Sequence, residues 1–545
     1  MMDTTRPEAS LKIRRTAVAL GSIFFCWSLF LILMRYVWPY EGIAMMETAT
    51  GSASYGLIHQ IPGIRISFLN IRLLGWSIPA MSFITHGPWG IYFLTPFIAL
   101  GGCTLTALRS YSSFMFFFAL WGTWQLALLL RKDRLTAFLS ILVVAVCPTM
   151  VTTRSMFVTA PDVAACVWTL CFAILFARTR KKIYAYAACC AFFAGLCTRT
   201  WVAGLGVGLL IFIVLTWRQV LSLLPKSRGT RAMLIVGCLA CAGIFLAPII
   251  AFNADTGWST VNFFAHHLVK RAQWACRPHA ICSNLNFWTN LELSFAQLEM
   301  LWDGDLSSIR SGAPWHWLYF PLLLLSLAHT AREVWRRRTL WNVSAMLWIV
   351  TIGYFLSSLI TPTRESTIHL APLAPILSVM MFSWLGIIPQ GNRRRAALLV
   401  LALLPAVQFA GDFYLLRRAN IDLAEVGHYE ESPLLIAACQ WAGWNPRTPI
   451  ISLSVPFTWA ATYFSPNRAR PFWWPALDPS YCIPWKQWLL RKDRPYFLVE
   501  RDGVEPPSYL GDLRAEAAKL KLPLTRIKVF RDSLGRPAFE IYRVQ

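Results

Sequence analysis

Two acids and a handful of basic groups stand where chemistry could be done at the edges of apolar segments. In "YEGIAMMETA", Glu41 follows at once on a long apolar run, and Glu47 comes six residues later. If that stretch is helical the two carboxylates point to different faces, so they do not read as a pair. Asp162 stands in "TAPD" at the start of another apolar run, with Arg154 eight residues before it. A carboxylate at the edge of a low-dielectric bundle holds its proton more readily than in water, which suits a base working near neutrality. The plain alternatives are an interfacial acid for Glu41 and Glu47, and a helix N-cap for Asp162. Arg154 could grip a phosphate through two parallel hydrogen bonds, or pair with Asp162.

The segment "FFAHHLVKRA" is chemically the densest. His267 and Arg271 are four residues apart and on a helix share a face, so an imidazole and a guanidinium could converge on one anion. Interfacial polarity is the ordinary account of His266 and His267, and ligation of a metal the other. His86 in "THGPWGIY" and Arg364 in "TPTREST" sit in loops. Arg364 is the more telling, because it falls on the side of the membrane that basic loop residues avoid.

Membrane helices must position these groups. The chain has 545 residues, is 56% hydrophobic and 14% charged, and carries 26 Trp and 35 Phe. A soluble protein of that length could not cover so much apolar surface, whereas repeated bilayer spans could. The formal net charge of +24 is spread in short clusters between apolar runs, which excludes a nucleic-acid surface. By the positive-inside rule, Arg14-Arg15, Arg131 to Arg134, Arg178 to Lys182, Lys226 to Arg231, Arg332 to Arg338 and Arg393 to Arg395 face the cytoplasm. That places spans near 16–38, 112–130, 135–153, 162–178, 183–200, 202–217, 231–251, 315–330, 340–360, 367–387 and 396–414, with 183–200 and 202–217 close enough for a tight hairpin. The first apolar run is too long for a signal peptide and lacks a clear cleavage site, so it is expected to be a retained span.

The expected fold is therefore an all-α polytopic membrane bundle of about eleven transmembrane helices, with outer loops 39–111, 154–161 and 252–314. The run 88–107, "PWGIYFLTPFIALGGCTLTA", is expected as an outer interfacial helix, since a span there would throw every later basic cluster outward. Residues 1–414 form the membrane domain and 415–545 a small extracytoplasmic α/β domain. In that tail "TPIISLSV" and "RPYFLVERD" read as strands, "GDLRAEAAKLKL" as a helix, and "RIKVFRD" with "PAFEIYRV" as a closing hairpin. Ten of the 14 cysteines fall in apolar helices, while Cys276, Cys282, Cys439 and Cys482 fall outside; "CRPHAIC" encloses a loop that a disulfide could close.

The order of these segments resembles a known family. An outer acid after the first span is followed by "THGPWGIYFLTPF", "CPTMVTTRSMFVTAPD", "AAFFAGLCTRTW", "STVNFFAHHLVKRA" and "TPTRESTIHLAPLAPIL". Over roughly residues 10–390 the chain is similar to the GT-C superfamily of polytopic glycosyltransferases, nearer to bacterial protein mannosyltransferases and the lipid A aminoarabinose transferase. The resemblance implies an enzyme of the bacterial inner membrane that moves a hexosyl or pentosyl unit from a polyprenyl-phosphate carrier to an acceptor on the outer face. The acceptor would be a protein hydroxyl, lipid A or another envelope glycan, and the reaction an inverting single displacement. Such a reaction needs a base at the acceptor hydroxyl, positive charge on the departing phosphate, and an apolar groove for the lipid.

Carried over by position, the resemblance makes Glu41 the acid after span one, with Glu where the family has Asp. It makes Asp162 the loop acid before the fourth helix, His86 part of a His-Gly-Pro loop, and Arg364 a basic residue near the carrier phosphate. His267 matches a histidine near a bound metal, and Arg271 a basic residue beyond it. His266 stands where the related pattern has Glu, so a divalent metal is left open. The rival account, a transporter or flippase of lipid-linked sugars, expects pseudo-symmetric halves and midplane polar groups. No internal repeat is visible, and the polar residues cluster on one side. A scaffold would explain the bundle but not the ordered outer acids.

Overall fold

The computed structural model describes residues 6–37, 45–60, 70–73, 75–80, 87–147, 149–150, 156–255, 257–258, 316–360, 370–388, 391–422, 450–452, 485–490, 494–500, 508–531 and 537–545, with single positions or pairs between them. Each expected span overlaps a helix, in full or in part, among the described residues. In chain order these are α1 (Arg6–Val37), then, after α2 (Met45–His59) and α3 (Trp89–Gly101), α4 (Leu105–Arg131), α5 (Arg134–Ala145), α6 (Met156–Thr179), α7 (Lys182–Thr198) and α8 (Ala203–Leu215). There follow a short helix α9 (Trp217–Leu223), then α10 (Arg228–Asp255), α11 (His316–Arg337), α12 (Val343–Ile360), α13 (Leu373–Met381) and α14 (Asn392–Asp422). Among the described residues five helices are long and apolar enough to cross a bilayer, or six if α8 and α9, bent by 94°, count as one broken span. Of the run 88–107, expected as one interfacial helix, Trp89–Gly101 forms α3 and the residues from Leu105 belong to α4.

The chain divides into two compact units. One comprises Met1–Met34, Ile84–Trp89 and Ser112–Leu415. Here α7 packs along α6 and α10, and α8 packs along α12. Glycines set these seams. A Cβ on Gly195 of α7 would come within 2.6 Å of Ala165 Cβ on α6, and one on Gly208 of α8 within 2.5 Å of the Val350 carbonyl oxygen on α12. Bare backbone lets two helices approach this closely, and the seams gain dispersion contact that a side chain would prevent. The same preference redirects α8: rather than packing along α7 as a tight hairpin, it turns its Gly204 and Gly208 toward α12 and touches α7 where Gly206 meets Phe192.

The basic clusters gather at one end of this unit. Asp133 caps α5, accepting from Thr136 N at 3.3 Å, and also accepts from Arg394 Nη2 of α14 at 2.8 Å. Arg131 Nη2 of α4 lies 2.8 Å from His329 Nε2 of α11, and Arg178 of α6 donates to the Leu129 carbonyl of α4.

The other unit comprises Arg35–Phe83, Gly90–Tyr111 and Leu416–Gln545. Its α2 buries the small-residue run Thr50 to Ser54, where Gly51 lies so close to the Tyr463 ring that a Cβ would meet it at 2.5 Å. Tyr463 donates to the Thr104 carbonyl at 2.8 Å, and Ser54 Oγ to the Ile91 carbonyl of α3 at 3.0 Å. A hairpin of β1 (Asn70–Leu73) and β2 (Trp76–Pro79) turns at Gly75, whose φ of 83° is open to glycine at little cost.

The tail forms the expected α/β layer. Strands β3 (Ile450–Ser452), β4 (Tyr496–Glu500), β5 (Leu524–Arg531) and β6 (Pro537–Val544) order as β3-β4-β6-β5, with β3 and β4 parallel and the rest antiparallel. Alternation puts Phe497 and Val499 of β4 and Tyr542 and Val544 of β6 on one face. Helix α16 (Ser508–Lys519) lays Leu510, Leu513 and Ala517 against it, and α15 (Trp485–Leu489) adds Trp488 and Leu489. Glu540 is fully buried and held by Arg526 Nη1 at 2.9 Å and the Tyr542 hydroxyl at 2.6 Å.

Candidate functional site

Helix direction separates the basic clusters from Asp162. Helix α6 has Asp162 near its start and Arg178, in the basic end, in its last turn. Sixteen residues of helix put them about 24 Å apart along the axis. Helix α7 runs the opposite way, from Lys182 to Thr198, and delivers Arg199 to the end where Asp162 lies. Arg199 Nε and Asp162 Oδ2 are 4.0 Å apart, with the residues only 3% and 1% exposed. A guanidinium and a carboxylate this deeply buried tolerate each other's presence but not each other's absence: removing one partner of such a pair costs about 3–5 kcal/mol.

Asp162 is not the N-cap that its sequence context allowed. Helix α6 begins at Met156, so Asp162 lies in its second turn, just after the intrahelical Pro161. Among the described residues its ionic partner is Arg199.

Three further elements close around the pair. Arg199 stacks its guanidinium over Trp201 at 4.3 Å from the ring centroid, in the 3-10 turn Thr200–Val202 that follows α7. Tyr354 of α12, 2% exposed, lies in electrostatic range of both Asp162 and Arg199. It is brought there by Gly204 at the start of α8, where a Cβ would stand 3.1 Å from the Tyr354 ring and 2.5 Å from Ser357 Oγ. The segment "GPW" enters at Gly87, where a Cβ would come within 2.2 Å of the Cys197 carbonyl oxygen, two residues before Arg199. Trp89 then anchors the motif on α10, its indole donating to the Phe245 carbonyl at 3.0 Å.

Of the residues expected from sequence, Asp162 is the one the structure describes. Glu41, His86, Arg154, His267, Arg271 and Arg364 lie outside the described residues, as do Cys276 and Cys282; Glu47 lies in α2. Sequence reasoning missed Arg199 and Tyr354. A signal for Arg199 was present: the turn between α6 and α7 is only Arg180 and Lys181, and Asp162 stands 18 residues before Arg180 as Arg199 stands 18 after Lys181. Two antiparallel helices joined so tightly must bring such positions level. Among the described residues no group of three or more His, Cys, Asp or Glu could hold a metal ion.

No family model and no curated protein sequence matches the chain. Its fold does match solved structures. ArnT from Cupriavidus metallidurans in the apo state aligns over 98% of both chains with a TM-score of 0.59 and 12% identity. The same protein bound to undecaprenyl phosphate aligns over 98% of both chains at 0.56 and 13%. The Archaeoglobus fulgidus oligosaccharyltransferase AglB, in complex with an inhibitory peptide and a dolichol-phosphate, aligns over 84% of this chain and 64% of its own at 0.49 and 13%. At these identities the likeness to ArnT is one of fold.

Proposed function

We propose that the chain is an integral-membrane glycosyltransferase that moves a sugar from a polyprenyl-phosphate carrier to an acceptor on the outer face of a bacterial inner membrane, by inverting displacement. The observation that carries this is the buried Asp162–Arg199 pair at the bundle end opposite the basic clusters, in a fold shared with an enzyme seen with undecaprenyl phosphate bound. Under the positive-inside rule that end faces outward, with the amino terminus cytoplasmic, about eleven spans, and residues 1–414 and 415–545 as membrane and extracytoplasmic domains. A transporter would place its polar centre at mid-membrane, between matched halves.

In this account Glu41 accepts the proton of the acceptor hydroxyl as it attacks the anomeric carbon. Arg154, Arg271 and Arg364 supply positive charge to the phosphate as it leaves, with His86 and His267 as polar contacts to the donor. Where His267 to hold a divalent ion, the ion would add charge at that phosphate. Asp162 belongs to the same centre, in the part taken up below. The test is transfer of radiolabelled sugar from a polyprenyl-phosphate donor by purified protein. Glu41→Gln keeps the shape of the side chain but not its basicity, so transfer should fall by about 10²–10⁴-fold with donor binding intact. An unchanged rate would remove Glu41 from the chemistry.

A further inference from the structure

We infer that Asp162 and Arg199 act as a positioning pair, a charged hinge-pin that fixes the ends of described segments that are adjacent in sequence to the proposed donor-binding residues. This rests on the glycosyltransferase reading above and assigns Asp162 a part that does not touch substrate.

Four segments converge on the pair, and three of them lead directly to a proposed binding residue. Helix α6, which carries Asp162, begins two residues after Arg154. Gly87, packed on Cys197 two residues before Arg199, is the residue next to His86. Helix α12, which brings Tyr354 to the pair, ends at Ile360, four residues before Arg364. The fourth segment is the 3-10 turn whose Trp201 faces the guanidinium. Arg199 and Asp162 are buried, at 3% and 1% exposure. Their mutual attraction acts between α6 and the end of α7, and so holds the starting points of three segments in register. A charge pair suits this task because it fails as a unit: either charge alone, left in an apolar surrounding, drives the segments apart.

The pair can be tested by neutralising each partner and then both. Asp162→Asn and Arg199→Gln should each lower the thermal unfolding midpoint in detergent, and each should raise KM for the polyprenyl-phosphate donor by about tenfold or more while kcat changes less. The double variant Asp162→Asn/Arg199→Gln leaves no unpaired charge and should recover most of both losses. Arg199→Lys keeps the charge without the planar stack on Trp201 and should fall between wild type and Arg199→Gln. A double variant no more stable and no more active than either single would overturn the proposal, as would one that regains stability but stays as inactive as Asp162→Asn, since Asp162 would then act on the substrate itself. The unfolding midpoints read the pair even where no transfer is measured. A wild-type protein without transfer activity, combined with recovery of stability in the double variant, would sink the enzyme reading and leave the pairing standing.

Discussion

Arg394 Nη2 on α14 donates to Asp133 Oδ2 at 2.8 Å, so the residue that caps α5 also receives a charge from a helix more than two hundred residues later in the chain. The contact joins two basic clusters that sequence alone could only assign to the same side. Arg131 with His329, and Arg178 with the Leu129 carbonyl, bring in two more. The bundle thus has a basic end, and the buried Asp162–Arg199 pair lies at the other.

A topological prediction follows from that polarity. Reporter fusions at Arg134, Lys182 and Arg394 should read as cytoplasmic, and a fusion at Gln545 as extracytoplasmic. A cytoplasmic signal from Gln545 would overturn the orientation, and with it the placement of the proposed chemistry on the outer face.

Gly87 offers a packing test with an internal control. Gly87→Ala places a methyl group 2.2 Å from a backbone oxygen, where no rotamer change can relieve it. It should cost about 1–3 kcal/mol in stability and weaken donor binding, because His86 is the next residue. Gly243 of α10 has nothing within 4 Å of its added Cβ, and Gly243→Ala should be neutral or gain up to about 1 kcal/mol of helix propensity. Matched thermal melts of the two variants decide it; equal melting points would mean that the close approach at Gly87 is not maintained.

Much of the fold was legible because bilayer spans announce themselves by length and apolarity. Among the described residues each expected span overlaps a helix, though only five or six of these helices are long and apolar enough to cross a bilayer. The tail's strands Tyr496–Glu500 and Pro537–Val544 follow their alternating side chains. The hairpin Asn70–Pro79 escaped notice because "NIRLLGWSIP" lacks a clean alternation, and its turn depends on a single glycine. The partition of α7 and α8 escaped for a different reason. Closeness in sequence suggested a hairpin, but Gly204 and Gly208 form a smooth face that fits α12, and such complementarity is a property of two helices rather than one. At the site, Asp162 stood out as an acid beside an apolar run. Arg199, quoted within a motif, did not, since its meaning comes from the carboxylate that a neighbouring helix brings to it.

The loop "CRPHAIC" supplies a chemical test of sidedness. If Cys276 and Cys282 are exported to an oxidising compartment, mass spectrometry of non-reduced protein should find them joined. Two alkylatable thiols at those positions would count against an exported loop without touching the enzyme assignment.

Arg271 and Arg364 are proposed to stabilise the leaving phosphate, whereas Glu41 is proposed to work on the acceptor. Arg271→Ala and Arg364→Ala should therefore weaken binding of the polyprenyl-phosphate donor, each by about tenfold or more, as expected for losing one charge-assisted contact. A donor affinity unchanged in both variants would return these arginines to ordinary loop residues.

The most direct measurement of the central claim separates transfer from transport. Purified protein in proteoliposomes would be given a radiolabelled sugar on polyprenyl phosphate together with a crude envelope fraction as the source of acceptor. Both the label and the sidedness of the carrier would be followed over time. The account predicts that label moves into acceptor with inverted anomeric configuration and free polyprenyl phosphate accumulates, while Glu41→Gln protein binds donor and transfers little. Label that crosses the bilayer still attached to its carrier, with no transfer to any acceptor, would contradict it and identify a flippase instead.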